Sequence, residues 1–532
     1  MSFISLYFIL FLIVVLFVYF IVPKKYRYLV LLVASYIFYL INDLRAVIFI
    51  LLTTVTNYFS AVKLKSISLK QKEFFAGKDE EWLKENKKKF TKKFRKKRQW
   101  LLALTLLFNF GILFMLKYFA YLADAFAEMI NVQPLGLEIL LPLGISFYMF
   151  QSAGYLIDVY YNKVEPQKNI FKFALFVSFF PQLVQGPISR YNQLAPQLIE
   201  GNDFDTKQLK SGVLLMLWGY FKKLVIADRA NILFETIMQN YTSYQGLEIF
   251  VAMLCFVLKL YCDFSGGIDI ATGVAKCFGI DLTPNFKRPF FALSVTEYWR
   301  RWHITLGAWM KDYVLYPLTL SKGYNKFIRG CKKVFKKGVA GKVIPSGIAM
   351  FFVFLLVGIW HGPDLAYLLF GVYNGVIILI ETIFNETRKL KKIKPKERKK
   401  STQRFITFVK FTVTFMLVFF GKYFSAAASL GVGIDVMFDW FLATFRYTDI
   451  TLLFNNFFSR TDFNLINIII LLVSTAILIF VEVLQERGLK IREFILSKRQ
   501  YIQWIIFYVA VIVIILMTAY DGTGGGFAYE NF

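Results

Sequence analysis

Histidine is nearly absent from this chain of 532 residues: only two occur, and each directly follows a tryptophan. The pairs are Trp302-His303, in EYWRRWHITLGAWMKDY, and Trp360-His361, in LLVGIWHGPDLAY. Histidine is the one side chain whose unperturbed pKa, about 6.5, lets it exchange protons near neutral pH. Acid–base chemistry is therefore expected at these two places. The alternative is that each imidazole is a hydrogen-bonded polar group inside a helical bundle.

Cysteine is also scarce, and no glycine-rich phosphate loop of a recognised type is visible. The cysteines lie in apolar runs or in a basic segment, without metal-ligand spacing: Cys255, Cys262, Cys277 and Cys331. We expect them to be small apolar fillers. Neither a disulfide, a metal site nor a bound cofactor is predicted.

Apolar residues, in contrast, make up 57% of the chain, its mean hydropathy is +0.52, and runs of membrane-spanning length recur from end to end. This pattern predicts an all-α polytopic membrane protein and excludes a soluble domain. The first run, FISLYFILFLIVVLFVYFIV, has no basic residues before it and no small-residue cleavage site. We interpret it as the first spanning helix rather than a signal peptide.

The formal net charge of +28 does not predict a nucleic-acid partner, because the basic residues are concentrated between apolar runs. Positive segments of this kind face the cytoplasm. Cytoplasmic loops are therefore expected at residues 63–99, 322–342, 387–404 and 486–500. Counting spans from these loops predicts one membrane domain, residues 1–532, with both termini outside and an extracellular tail at residues 521–532.

From about residue 138 to 375, prolines, glycines and charges interrupt the apolar runs. Such groups survive at membrane depth only where protein or water satisfies them, so a cavity or tunnel is expected here. Asp263 and Asp269 belong to this region, and the Ser265-Gly266-Gly267 sequence between them predicts a helix break. Their candidate partners are Arg190, Arg229 and the cluster from Arg288 to Arg301. The alternative is a set of structural ion pairs.

Residues 297–317 mix aromatic and basic side chains in a pattern suited to an amphipathic helix at the membrane interface. By itself this pattern indicates only that tryptophans and cations lie at headgroup level.

Four segments occur in the order found in membrane-bound O-acyltransferases: FFPQLVQGPISRYNQLAPQL, DFSGGIDIATGVAKCFGIDLTPNFKRPF, EYWRRWHITLGAWMKDYVLYPL and GIWHG. The chain resembles this family over its whole length and is most similar to the alginate O-acetyltransferase branch. The resemblance implies a ring of roughly 11 or more transmembrane helices, with re-entrant and interfacial helices around a central tunnel.

The resemblance also implies that His361 matches the family's catalytic histidine and His303 its second functional histidine. The chain departs from the family at two places. Gly266-Gly267-Ile268 stands where the family often has Gly-Tyr-Ser, and Asn374 stands where it often has a histidine. Both departures bear on the fit of an acceptor or a partner.

Transfer of an acetyl group from a thioester to an alcohol needs an activated oxygen nucleophile and a stabilised oxyanion. His361 is the candidate general base. His303 is the candidate for holding the donor or polarising its carbonyl, together with a cation that matches the phosphates of coenzyme A. The candidates for donor binding or for the tunnel are Arg300, Arg301, Trp302, Trp360, Asp263 and Asp269.

The tail ends in Phe527-Ala528-Tyr529-Glu530-Asn531-Phe532 after a glycine-rich linker. It resembles the terminal motif of a small partner protein in teichoic acid D-alanylation. We hypothesise that Tyr529 accepts the acetyl group as a phenyl ester and passes it to an extracellular acyltransferase. The alternative is that the aromatic residues only anchor the C-terminus at the outer interface.

The function expected from the resemblance is acetyl transfer from cytoplasmic acetyl-CoA to an exported cell-surface polysaccharide, in a bacterial plasma membrane. The expected partners are membrane lipids, an SGNH-type acyltransferase and a polysaccharide synthase complex. Two alternatives stay open: a teichoic acid D-alanyltransferase, and a transporter whose buried charges form a substrate pathway.

Overall fold

The computed structural model describes residues 1–42, 44–133, 136, 141–244, 246–335, 338–392, 399–447 and 464–519. Within these ranges every regular element is a helix, so the predicted all-α class is confirmed. The chain divides into two contact units, and each is described by itself. The prediction of one membrane domain over residues 1–532 stays a prediction, and so do the ring and its tunnel.

The first unit comprises residues 1–216 and 268–283. Buried phenylalanine rings form its core; those of Phe8 and Phe180, for example, meet edge to face at 6.5 Å. Polar side chains between its two longest helices bond to each other, as Asn57 does when it donates to Asn109 at 3.2 Å. The helices are Leu6–Ile21, Lys24–Asn42, Val47–Ala76, Glu80–Met129, Ile145–Tyr160, Ile170–Ser178, Phe180–Leu183, Tyr191–Glu200 and most of Thr206–Tyr220.

The second unit comprises residues 217–267 and 284–525, and it carries both histidines. Its α-helices are Asp228–Gln239, most of Gly246–Cys277, Val295–Arg301, Ile304–Met310, Tyr316–Leu320, Lys322–Val334, Val339–His361, Leu365–Leu390, Lys400–Leu430, Ile434–Ala443, Leu465–Glu486, Ile491–Leu496 and Gln500–Ala519. Two π-helical segments, Phe221–Ala227 and Lys311–Leu315, and two short 3₁₀ turns, Tyr241–Ser243 and Pro289–Phe291, complete it.

Seven helices among the described residues are long and apolar enough to cross a membrane. The predicted polytopic membrane protein is confirmed by these helices, whereas the count of 11 or more spans stays a prediction. The first apolar run forms a helix of 16 residues, Leu6–Ile21, which is shorter than the span expected from the sequence. The seven helices are Val47–Ala76, Glu80–Met129, Val339–His361, Leu365–Leu390, Lys400–Leu430, Leu465–Glu486 and Gln500–Ala519.

The basic segment at residues 63–99 is not a loop, as expected, but the paired ends of two helices. The chain turns only around Gly77, and Asp79 caps the second helix by accepting a hydrogen bond from the backbone N–H of Trp82 at 2.7 Å. Lysine, arginine and glutamate are good helix formers, so a charged sequence extends a helix beyond its apolar part. Residues 322–342 are largely helical for the same reason.

The interruptions expected between residues 138 and 375 are present as short helices and two π-helical segments, but the break at Ser265-Gly266-Gly267 is absent. The helix Gly246–Cys277 runs through it without interruption. A β-carbon on Gly266 would lie 2.9 Å from the backbone carbonyl oxygen of Gly219. The glycine therefore serves a close approach of two helices rather than a bend.

Residues 297–317 do not form one interfacial helix either. The helix Val295–Arg301 ends before Trp302, and a new helix, Ile304–Met310, starts after His303. Trp302 and Trp309 are buried among protein side chains, at 4% and 5% exposure. The break results from the left-handed backbone of His303, whose φ of 45° no α-helix contains.

Two helices, Val339–His361 and Leu365–Leu390, form the hairpin that carries the second histidine. They cross at a pair of glycines: a β-carbon on Gly358 would lie 2.5 Å from the carbonyl oxygen of Tyr367 and 3.0 Å from the Cα of Gly371. Only hydrogen atoms fit between the backbones at this crossing.

We expect Gly358→Ala to lower the free energy of unfolding by about 1–3 kcal/mol, because the added methyl group pushes the two helices apart. The measurement is the melting temperature of the purified full chain, followed by size-exclusion chromatography after heating. Gly330→Ala is the matched control, since nothing lies within 4 Å of the added β-carbon on an exposed helix. Equal melting temperatures for the two variants would contradict the role of this crossing.

Candidate functional site

His303 is clamped by one asparagine. The residue is 4% exposed, and its Nδ1 lies 3.2 Å from the Oδ1 of Asn285. The same oxygen accepts hydrogen bonds from the backbone N–H and the hydroxyl group of Thr305, at 3.0 and 2.8 Å. The carbonyl oxygen of Asn285 accepts from the backbone N–H of Ile304 at 2.9 Å. These bonds hold the left-handed turn and the ring together.

The clamp also determines the tautomer of His303. A backbone N–H can only donate, so the Asn285 atom that faces Thr305 is the carbonyl oxygen, and Nδ1 of His303 must donate to it. His303 lies outside the seven spanning helices, and burial lowers its pKa to about 3. The imidazole is therefore neutral, and its Nε2 carries the lone pair.

His361 is the last residue of its spanning helix and is partly exposed, unlike His303. Its ring stacks on Tyr367, with centroids 5.5 Å apart at an angle of 20°. Phe370 meets it edge-on at 5.7 Å, and Trp360 lies 4.7 Å away. Three aromatic rings thus orient this imidazole and leave part of it accessible.

Trp360 joins the two histidines. Its ring centroid lies 6.4 Å from that of His303 and 4.7 Å from that of His361. On its other side the His303 ring meets Phe264 edge-on at 4.9 Å. The two Trp-His pairs, 58 residues apart in sequence, therefore form one aromatic cluster.

The arginines beside Trp302 differ in their surroundings. Arg301 donates to Glu297 at 2.6 Å and to Glu486 at 3.0 Å, which hold it at the edge of the unit. Arg300 is exposed. Trp302 stacks on Tyr298 with centroids 5.6 Å apart. The assignment of Arg300, Arg301 and Trp302 to donor binding or to the tunnel stays a prediction.

Asp263 takes part in a buried ion-pair cluster. The Nζ of Lys223 lies 2.7 Å from Asp263 and 2.9 Å from Asp228, and all three side chains are under 10% exposed. The sequence predicted an arginine as the partner of Asp263, and this prediction is wrong: the partner is Lys223. Asp269 lies on the same continuous helix, six residues further along, and belongs to the first contact unit. The two aspartates therefore do not share a helix face.

Two residues of this region were missed from the sequence, Asn285 and Lys422. Asn285 carries no signal beyond its place in the motif TPNFKRPF. Lys422 carried one: it is a lysine inside the apolar run TFMLVFFGKYFSAAASL, where an ionisable residue indicates a function. Tyr529 and the tail at residues 521–532 lie outside the described residues.

The profile of the membrane-bound O-acyltransferase family matches residues 161–329, which include the Asn285 clamp and the first Trp-His pair. The chain belongs to this family. The predicted family is thereby confirmed, and O-acyltransferase is the enzyme class that it implies.

The relatives of this O-acyltransferase chain act on different polymers by name. A probable alginate O-acetylase of Pseudomonas syringae pv. tomato is 31% identical over 369 residues, 68% of this chain and 62% of the relative. A peptidoglycan O-acetyltransferase of Helicobacter pylori is 30% identical over 327 residues, 56% of this chain and 58% of the relative. A teichoic acid D-alanyltransferase of Bacillus subtilis is 27% identical over 283 residues, which are 53% of this chain and 67% of the relative. The chain thus spans less than two thirds of the first two relatives.

We expect Lys223→Met to destabilise the protein by about 3–5 kcal/mol, because it leaves two carboxylates buried without their cation. The readout is the melting temperature of the purified chain. Lys410→Met is the control, since Lys410 is exposed. A melting temperature of Lys223→Met equal to that of the control would show that the cluster does not stabilise the fold.

Proposed function

We propose that this protein is a transmembrane acetyltransferase that transfers acetyl groups from a cytoplasmic thioester, acetyl-CoA, to an extracellular acceptor, for O-acetylation of a cell-surface polysaccharide. The names of the alginate and peptidoglycan relatives support this reaction class. The observation that carries the proposal is the convergence of the two histidines on Trp360, one imidazole partly accessible and the other buried and neutral.

His361 is the proposed general base. It removes the proton from the acceptor hydroxyl as the oxygen attacks the acetyl carbon, and its partial exposure allows an acceptor to reach it. His303, buried and neutral, offers the Nε2 lone pair as a hydrogen-bond acceptor. The neutral ring does not supply a positive charge, so its proposed role is to position the donor.

The donor is proposed to be bound as a substrate, with no resident cofactor. Coenzyme A is an anion, and exposed Arg300 is a cation suited to its phosphates. Arg301, held by Glu297 and Glu486, would keep the adjacent Trp302 in place.

The proposal extends to the tail and to partners. Tyr529 would accept the acetyl group as a phenyl ester and pass it to an SGNH-type acyltransferase outside a bacterial plasma membrane, next to a polysaccharide synthase. A phenol is a better leaving group than an alkanol, so the ester stays activated. An ordinary tyrosine has a pKa near 10, and a base such as His361 would therefore be required.

We expect His361→Gln to lower acetyl transfer by about 10²- to 10⁴-fold, because the substitution removes the general base. The measurements are transfer or hydrolysis of acetyl-CoA by the purified chain and mass spectrometry of the envelope polymers of cells that carry the variant. Gln403→Ala, at an exposed position of another spanning helix, is the control. Activity of His361→Gln equal to that of this control would contradict the assignment. Absence of any acetyl transfer by the unaltered chain would favour a transporter.

We expect Tyr529→Phe to abolish polymer acetylation, since phenylalanine keeps the aromatic anchor and removes the nucleophilic oxygen. Acetylated polymer is measured by mass spectrometry in cells, and the variant protein is quantified in the membrane. Unchanged acetylation at equal protein level would exclude the relay.

D-alanyl transfer to teichoic acid is the second candidate, favoured by the Bacillus subtilis relative. The genetic neighbourhood separates the two: genes for a carrier protein and its ligase support D-alanylation, whereas genes for a polysaccharide synthase and an SGNH enzyme support acetylation.

A further inference from the structure

Lys422 is a buried lysine within a membrane-spanning helix, Lys400–Leu430. It is 4% exposed and belongs to the contact unit that carries both histidines. A charged side chain at this depth is expensive unless it serves a function.

Aromatic rings surround the ammonium group of Lys422. The Nζ lies 4.7 Å from the ring centroid of Trp302, 5.6 Å from Phe370, 5.8 Å from Trp299 and 5.9 Å from Tyr298. Ring faces attract a cation by about 0.5–2 kcal/mol each. The four rings attract the ammonium group of Lys422 but supply no negative charge to pair with it.

Carboxylates do not neutralise this cation within the described part of the chain. No hydrogen bond or ion pair joins Lys422 to another described residue. Lys223, another deeply buried lysine, lies between two carboxylates instead. Two lysines of one unit thus differ: Lys223 is paired with carboxylates, whereas aromatic ring faces lie against the Nζ of Lys422.

The ammonium group lies next to both Trp-His pairs. Trp302, over which it sits, directly precedes His303. The Phe370 ring centroid lies 5.6 Å from the Nζ of Lys422 and 5.7 Å from the His361 ring centroid. The lysine and the proposed base thus share one aromatic neighbour.

Other basic residues near this cluster already have partners or carry no charge. Lys222 donates to the Oγ of Ser265 at 2.8 Å. His303 is neutral, because burial disfavours its charged form. Arg301 binds Glu297 and Glu486. An acyl transfer nevertheless requires positive charge or hydrogen-bond donors where the carbonyl oxygen becomes negative. Lys422 meets that requirement by position and by charge.

We propose that Lys422 binds the carbonyl oxygen of the acyl donor and stabilises the oxyanion that forms on it during transfer. This inference rests on the proposed acyltransferase function. It adds a group that stabilises the oxyanion, a role that neither histidine has in the proposed function.

The step balances as follows in bonds and protons. The acceptor oxygen forms a bond to the acyl carbon while His361 takes its proton, and the carbonyl π electrons move onto the oxygen beside the Lys422 ammonium. The oxyanion then re-forms the carbonyl and expels the donor sulfur. The proton held by His361 passes to that thiolate, and the lysine exchanges no proton in the step.

The test is Lys422→Met, which keeps the length of the side chain and removes its charge, assayed with the purified full chain and acetyl-CoA. We expect kcat to fall by about 10²- to 10³-fold with KM within about threefold, because an interaction made in the transition state is lost. The melting temperature should not fall, since a buried charge without a carboxylate is replaced by an apolar group. Lys410→Met, an exposed position on the same helix, is the control for both readouts.

The outcomes separate the two proposals. If the unaltered chain transfers acetyl groups and Lys422→Met has the same kcat as Lys410→Met, the inference is wrong while the proposed function stands. If Lys422→Met loses activity and melts as low as Lys223→Met, Lys422 is structural and the inference is again wrong. Lys422→Arg keeps the charge, so it should retain more activity than the methionine variant; equal losses in two folded variants would also overturn the inference. An unaltered chain without transferase activity overturns the proposed function itself.

Discussion

A charge inside a spanning bundle has to be stabilised by the protein itself, because the apolar part of a bilayer offers neither water nor counter-ions. The second contact unit meets this constraint in two ways. Lys223 lies between Asp263 and Asp228, as a compensated cluster. Lys422 lies over ring faces, which attract a cation but carry no negative charge that would pair with it. Aromatic residues make up 19% of the chain, and this second arrangement depends on them.

The same constraint accounts for the different states of the two histidines. His303 is buried beside Phe264 and bonds to Asn285, an amide that supplies an acceptor without a charge. An aspartate at that position would favour the imidazolium ion. His361 stands at the end of its helix and is partly exposed, so that an acceptor is able to reach its ring. The proposed positioning group and the proposed base therefore contact the same tryptophan, Trp360.

Several features followed from the sequence because they depend on local pattern. Apolar run length predicted the polytopic helical class, which the spanning helices of the structure confirm. The two Trp-His pairs were identified by their rarity and by their motifs. Other predictions were wrong where residues distant in sequence determine the local structure. A glycine is compatible both with a break in a helix and with a close crossing of two helices, so the sequence around Gly266 does not distinguish them. The close approach of Gly219 shows that position 266 is a crossing.

The sequence by itself determined the family, the helical membrane class and the two places where proton chemistry is expected, since these depend on composition and on motifs read along the chain. Tertiary structure alone decided which groups meet. It paired Asp263 with Lys223, placed Asn285 against His303, and brought Lys422 beside Trp302 from 120 residues further along the chain. The physical reason is that burial and charge compensation are properties of neighbours in space, and the neighbours of a side chain in a bundle come from helices far apart in sequence.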